Sequence, residues 1–301
     1  MTIQPENQAI AQEHAAENSA AGDAIALICG GGSFPRAVAD AIARRGRRPV
    51  MFAIKGWADS KVIEQYPHHW IALGQLGRFC RLARAEHCHD VLFIGTLLRP
   101  AIRDLRLDWP TVRAMPRIIR SFRGGDDHLL SGVANILADA GLRIIAVHDV
   151  APEILVPDGV LGRCQPSARD RADIARAFEV LAALGPFDIG QGAVVADNNV
   201  LAVEAAEGTD NMLSRLIELR RHGRVTARPG IGVLAKAPKP SQDRRFDLPA
   251  IGPRTIEYAA RAGLAGVAVA AGSAIIADAA ETIAVADRAG IFLAGVGRGS
   301  V

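Results

Sequence analysis

The stretch Ile25-Ala26-Leu27-Ile28-Cys29-Gly30-Gly31-Gly32-Ser33-Phe34-Pro35 decides the fold. Its first five residues form a short apolar run, which suits a strand buried on both faces. Three glycines follow, then a serine able to cap a helix and a proline suited to a first helical turn. The helix should run to about Arg45, with Gly46 as its stop. Strand, glycine turn and helix together are the opening of a parallel α/β sheet.

The same alternation continues. Pro49 to Ile54 reads as a second strand, Gly77 to Ala85 as a helix and Val91 to Gly95 as a third strand. Leu129, Leu130, Val133, Ile136 and Leu137 fall at helical spacing within 127–140, and Ile144 to Val147 reads as another buried strand. In such sheets ligands sit beyond the carboxyl ends of the strands. Ala151 to Gly162, with two prolines and two acids, marks a linker. The domains are therefore expected at 24–152 and 164–301, joined by 153–163. In the second domain a helix is expected at 169–183 and a hairpin turning at Asn198-Asn199. Another helix, capped by Thr209-Asp210, should reach Arg221. Strands are expected at 231–236, 266–271 and 291–294, with helices at 255–262 and 276–289.

The chain has 301 residues, enough for two domains at roughly 100–200 residues each. Half the residues are hydrophobic and the formal net charge is only +3. A small net charge and few aromatics argue against a nucleic-acid binder. No pair of the four cysteines has CxxC spacing. Glu86-His87-Cys88-His89-Asp90 resembles a metal cluster, but adjacent residues on a short element cannot all face one ion. Reduced thiols in a cytoplasmic protein are the default. Residues 1–23 carry four acids and no Lys or Arg, and read as a disordered tail rather than a secretory signal. No apolar run reaches the ~18 residues of a membrane span.

The glycine turn suggests a nucleotide, since helix amino termini attract phosphate, although tight turns also use glycine for steric reasons. It does not complete GxGxxG. The second strand also ends at Lys55, where an NAD site would place an acid. Gly95-Thr96-Leu97-Leu98-Arg99-Pro100 puts Thr96 and Arg99 at the ligand-facing edge, with Arg99 suited to a phosphate. Asp126 and Asp127, after two glycines, suit a helix cap, a sugar hydroxyl or a metal. Lys239-Pro240-Ser241-Gln242-Asp243-Arg244-Arg245-Phe246-Asp247-Leu248-Pro249 mixes carboxylates and cations without helical or strand periodicity. That composition suits a site handling phosphate and a divalent metal, or a solvated loop.

These segments together resemble a known family. The marks are Gly30 to Pro35, Gly95 to Pro100, Gly125-Asp126-Asp127-His128-Leu129-Leu130, Val203-Glu204-Ala205-Ala206-Glu207-Gly208-Thr209-Asp210, and Gln242-Asp243 through Asp247-Leu248-Pro249 with Ile251-Gly252. They are similar to the UDP-2,3-diacylglucosamine pyrophosphatase of lipid A biosynthesis, LpxI type, from about residue 24 onward. The resemblance implies an α/β protein of two domains, a Rossmann-like amino-terminal parallel sheet and a distinct α/β carboxyl-terminal domain, with the ligand between them. It implies a homodimer and a Mg2+-dependent split of UDP-2,3-diacylglucosamine into UMP and 2,3-diacylglucosamine 1-phosphate (lipid X). It also implies that Asp243 is the essential aspartate. The HxD and GNHE motifs of the metallophosphoesterase with the same activity are absent.

Residue chemistry extends the expectation. Asp243 is assigned as metal ligand or water-orienting base, with Glu204 and Asp210 as further metal candidates. Arg99, Lys236 and Arg244 are assigned to phosphate. Gly31, Gly32, Ser33 and Thr96 are assigned to the pocket, and Asp126 and Asp127 to the sugar. The alternatives are a non-catalytic nucleotide-sugar-binding protein and another nucleotide-dependent α/β enzyme. A diacylated substrate leads to an expected transient contact with the inner membrane face. Leu107 to Phe122 interleaves Trp109, Met115, Ile118 and Ile119 with Arg113, Arg117 and Arg120, which suits that contact or an amphipathic helix facing the core.

Overall fold

The computed structural model describes residues 24–32, 34–95, 105–121, 126–240, 243–246 and 248–297, with side chains 120, 121 and 126–131 left aside. The tail 1–23, Ser33, Thr96, Arg99 and Asp247, and the side chains of Asp126 and Asp127, lie outside the described residues. The chain divides into two compact units at Val150/Ala151.

The first unit holds a five-stranded parallel sheet of β1 (Ala24–Cys29), β2 (Arg48–Ile54), β3 (His68–Ile71), β4 (Cys88–Ile94) and β5 (Arg143–Ile144). Their order is β3-β2-β1-β4-β5. Its helices are α1 (Phe34–Arg44), α2 (Ser60–Ile63), α3 (Leu76–Ala85), α4 (Trp109–Ser121), α5 (Asp126–Asp139) and α6 (Val147–Val150). The apolar runs of β1 and β2 are buried almost throughout, as a sheet covered on both faces requires. Strand order reverses between β1 and β4, so the crevice of this unit opens at their carboxyl ends.

The opposite end of the sheet is pinned by charge. Asp90 is buried and accepts from Arg47 at 2.9 Å and from Arg143 at 2.7 and 3.0 Å. Burial pushes its carboxyl up, but the two guanidiniums outweigh this and hold it below the usual range. Glu86 accepts from Arg48 at 2.9 Å and meets His69 at 2.7 Å. Cys88 is buried and its thiol is pushed up to about 11. Glu86 and Asp90, the acids of the Glu86–Asp90 stretch, thus hold strand ends together.

Two elements depart from expectation. β3 is an edge strand of two histidines, a tryptophan and an isoleucine, without the apolar alternation that signals a strand. The strand expected at 144–147 ends at Ile144, because Asp149 accepts from Ala146 N at 2.9 Å and turns the chain into α6.

The second unit has a mixed six-stranded sheet of β6 (Gly159–Val160), β7 (Gly192–Ala196), β8 (Asn199–Val203), β9 (Val233–Lys236), β11 (Gly266–Ala270) and β13 (Phe292–Val296). Their order is β6-β13-β11-β9-β7-β8. β9, β11 and β13 run parallel, while β6, β7 and β8 pair antiparallel to their neighbours. β10 (Ala250–Ile251) and β12 (Ile275–Ile276) form a small parallel pair. The helices are α7 (Ala168–Leu184), α8 (Gly208–Arg221), α9 (Pro253–Arg261) and α10 (Ala279–Ala289). One large apolar cluster, including Met212, Leu213, Leu216, Ile256, Val267 and Leu293, joins α8, α9 and α10 to the sheet.

Local chemistry moves several boundaries. The hairpin turns at Asp197 and Asn198, both left-handed with φ of 50° and 62°, one residue before the expected pair. The reason is Asp173 on α7, whose carboxylate accepts from Asp197 N at 3.0 Å and Asn198 N at 2.7 Å. α8 starts at Gly208 rather than at a Thr209-Asp210 cap, since the Thr209 hydroxyl is taken by Glu204. α10 begins at Ala279, because Ile275 and Ile276 pair with β10 instead. Asp173 is buried and carries two backbone N–H groups with it. Asp173→Ala is therefore expected to lower unfolding stability by about 2 kcal/mol in a denaturant titration, with Asp173→Asn less costly.

Candidate active site

In the first unit the carboxyl ends of β1 and β4 meet backbone to backbone. Gly30 N donates to Ile94 O at 2.9 Å. Gly95 has φ of +95°, and a Cβ there would stand 2.7 Å from Gly31 O. Gly32 follows with φ of +93° and delivers the chain to α1. Gly31, Gly32 and Gly95 therefore make a floor without side chains, where a flat or charged ligand group can approach the main chain. Lys55, just past β2, is exposed, and no acid replaces it to grip a ribose.

In the second unit the site grows from the end of β9. Lys236 is the last residue of that strand and is only 5% exposed. Its ammonium donates to Thr209 Oγ1 at 2.7 Å and to Ala250 O at 3.2 Å. Glu204 Oε2 lies 3.9 Å away, and Thr209 donates to Glu204 Oε1 at 3.0 Å. Glycines make room for Glu204: a Cβ at Gly190 would meet its backbone O at 2.0 Å, and one at Gly192 would meet its carboxylate Oε2 at 2.5 Å. A buried ammonium needs such partners, since desolvating an unpaired charge costs several kcal/mol.

Lys236 precedes the charged segment 237–249 and Ala250 follows it, so one side chain ties both ends of that loop. Within it, Arg244 donates to Gly272 O at 2.6 Å and to Ser273 Oγ at 2.8 Å. Lys239 pairs with Asp188. Asp243 is held by Arg245, which donates from its backbone N at 3.0 Å, from Nε at 3.0 and 3.1 Å and from Nη2 at 2.7 Å. The Asp243 side chain remains 25% exposed. The Arg245 guanidinium holds its carboxyl below the usual range against a smaller push upward from burial. Arg245 also stacks over Phe246, 5.5 Å from the ring centre.

The structure thus brings Glu204, Thr209 and Lys236 into one network. Asp210 pairs with Arg254 at 2.8 Å, apart from that network's bonds. Lys236 and Arg244, read from sequence as phosphate ligands, are both engaged by protein groups. Among the described residues no three His, Cys, Asp or Glu side chains group to hold a metal ion. Mg2+ does not require three, because it takes one or two carboxylates and fills its octahedron with waters and phosphate oxygens. Asp243 is anionic and partly open, with Arg245 donating to both its oxygens, and Glu204 and Asp210 each hold a protein cation as well, so each of the three would loosen a cationic partner to take such an ion. Sequence reasoning missed Arg245, Thr209 and Ser273 as partners. For Arg245 the signal was present, since a turn can fold an i+2 guanidinium onto a carboxylate.

A model of the LpxI N-terminal domain matches residues 24–154, and one of the LpxI C-terminal domain matches 157–294. The chain belongs to the LpxI family. A relative from Caulobacter vibrioides, named UDP-2,3-diacylglucosamine pyrophosphatase LpxI, is 41% identical over 272 residues, covering 90% of this chain and 97% of that protein. For this LpxI-family chain two outcomes follow from the geometry. Lys236→Met should cost about 3 kcal/mol by leaving the half-buried Glu204 without its counter-charge, and adding Glu204→Gln should recover most of the loss in thermal unfolding. Arg245→Gln removes the main cause that holds Asp243 low, so its carboxyl should titrate at higher pH by carbon NMR and protonate earlier as pH falls; an unchanged titration would refute the pairing.

Proposed function

We propose that this chain hydrolyses the pyrophosphate of UDP-2,3-diacylglucosamine to UMP and 2,3-diacylglucosamine 1-phosphate (lipid X), in lipid A biosynthesis. The observation that carries the reading is the 41% identity to the Caulobacter pyrophosphatase over nearly its whole length. In the reaction, the water oxygen joins one phosphorus, the P–O–P bridge breaks, and two protons are released as the two phosphate products form. The transition state spreads negative charge over phosphate oxygens, so the site must supply positioned positive groups and an oriented water.

Asp243 is the residue proposed for that work. Its pairing with Arg245 holds its carboxyl below the usual carboxylate range, and Lys236, Lys239 and Arg244 anchor the segment around it. Asp243 would hold Mg2+, which when bound supplies charge neutralisation on the phosphates. To serve that ion Asp243 would loosen its bonds from Arg245, and Glu204 and Asp210 would likewise leave Lys236 and Arg254. The glycine floor of the first unit is proposed to receive the nucleotide or sugar, with Thr96, Arg99, Asp126 and Asp127 as further contacts. A cytoplasmic homodimer completes the reading.

The test is to incubate the purified chain with detergent-dispersed UDP-2,3-diacylglucosamine and Mg2+, and to quantify UMP and lipid X. Wild type should form both, EDTA should stop it, and restored Mg2+ should recover it. Asp243→Ala should lose about 100-fold or more in kcat with its circular dichroism unchanged. Product from both proteins would move the site elsewhere. Product from neither would replace the hydrolase reading with that of a nucleotide-sugar-binding protein.

A further inference from the structure

Four of the large apolar side chains that stand in solvent fall within one short stretch: Leu107 at 46%, Trp109 at 76%, Val112 at 42% and Ile119 at 55% exposed. Trp109, Val112, Pro116 and Ile119 recur at three- and four-residue intervals along α4 and so form one stripe. The other face of α4 is already used. Thr111 is buried, Ala114, Met115 and Ile118 are half-buried, and the helix packs on α3 and α5. Met115 and Ile118 therefore serve the fold, whereas Trp109 and Ile119 do not.

Charge accompanies the stripe. Arg106 precedes it, and Arg113 and Arg117 lie along one edge; Arg117 also bridges to Asp139 at 2.7 Å. No acid occurs within α4. A tryptophan and aliphatic side chains flanked by arginines match the interface of a bilayer, where the rings and aliphatics enter the headgroup boundary and the guanidiniums reach anionic phosphates. A protein partner with an acidic rim would also match the charge, but the diacylated substrate of the proposed reaction resides in lipid. We propose that the outer face of α4 docks this protein on an anionic phospholipid surface, a reading that rests on the proposed substrate for its purpose but not for its geometry.

The experiment is cosedimentation of the full chain with vesicles of phosphatidylcholine alone or of phosphatidylcholine with phosphatidylglycerol. Wild type should bind the anionic vesicles, and raised salt should weaken the binding. Trp109→Ser with Ile119→Ser should weaken it by about tenfold or more, from the lost apolar burial. Arg106→Ser and Arg113→Ser should each weaken it by about fivefold. Phe187→Ser, which removes an exposed apolar side chain in the other unit, should leave it unchanged. The double apolar variant should keep wild-type kcat on detergent-dispersed substrate and lose activity on vesicle-embedded substrate. Equal binding by wild type and both sets of variants would overturn the proposal. So would absence of vesicle binding together with a concentration-dependent dimer in gel filtration that Trp109→Ser with Ile119→Ser abolishes, which would assign the face to a second copy. Vesicle binding by a chain that releases no UMP would leave this inference standing while the hydrolase reading fell.

Discussion

A buried ammonium at the end of a strand must find partners, and in the second unit the answer to that demand organises the site. Lys236 sits where β9 gives way to an irregular segment, with little water to solvate it. Its partners come from the β8–α8 connection, the first turn of α8 and the start of β10. Because Ala250 closes the segment that Lys236 opens, one hydrogen bond joins the two ends of the charged segment. Closing a loop of this size carries an entropic cost that anchors along its length offset. Arg244 on the β11–β12 turn and Lys239 on Asp188 supply two more. Asp243 lies between these anchors in sequence.

In both units the candidate site residues gather at carboxyl ends of strands. In the first, buried Asp90 and its two arginines, with Glu86 and its partners, occupy the amino ends of the strands. The carboxyl ends of β1 and β4 carry glycine instead, and a side chain at Gly95 would strike Gly31. In the second, the carboxyl end of β9 begins the loop that carries Asp243. Parallel strands impose this polarity, because all their carboxyl ends share one edge of the sheet.

The parallel sheet was legible in sequence because strands buried on both faces read as unbroken apolar runs. β1, β2 and β4 follow that rule. β3 does not, since an edge strand bearing His68, His69 and Trp70 needs only one covered face. Turns were legible to within a residue. Asn198 and Asn199 are both credible turn residues, and only Asp173, distant in sequence, selects Asp197 and Asn198. The same distance hid Thr209: its hydroxyl looks like a helix cap until Lys236 and Glu204 arrive from elsewhere. Asp243 stood out by motif, but the partner that holds its carboxyl low is a matter of turn geometry. Pairing of this kind depends on three-dimensional contacts that no periodicity encodes.

The exposed stripe of α4 raises the question of how the fold tolerates it. The helix does not depend on that face. Asp108 caps it, accepting from Thr111 N at 3.0 Å and from the Thr111 hydroxyl at 2.6 Å. The other Asp108 oxygen accepts from Arg78 N at 2.9 Å, in the first turn of α3, so one carboxylate serves two helix starts. Burial pushes this carboxyl up, yet the bonds from Thr111, Arg78 and Gly77 outweigh it and hold it below its ordinary range. Leu76 N donates to Thr111 Oγ1 at 3.0 Å and closes the junction. The cap and the packed inner face hold α4 through residues other than those of its outer stripe. Trp109, Val112 and Ile119 are then free of the core's demands, and a surface that packing does not require is where a partner can set the sequence.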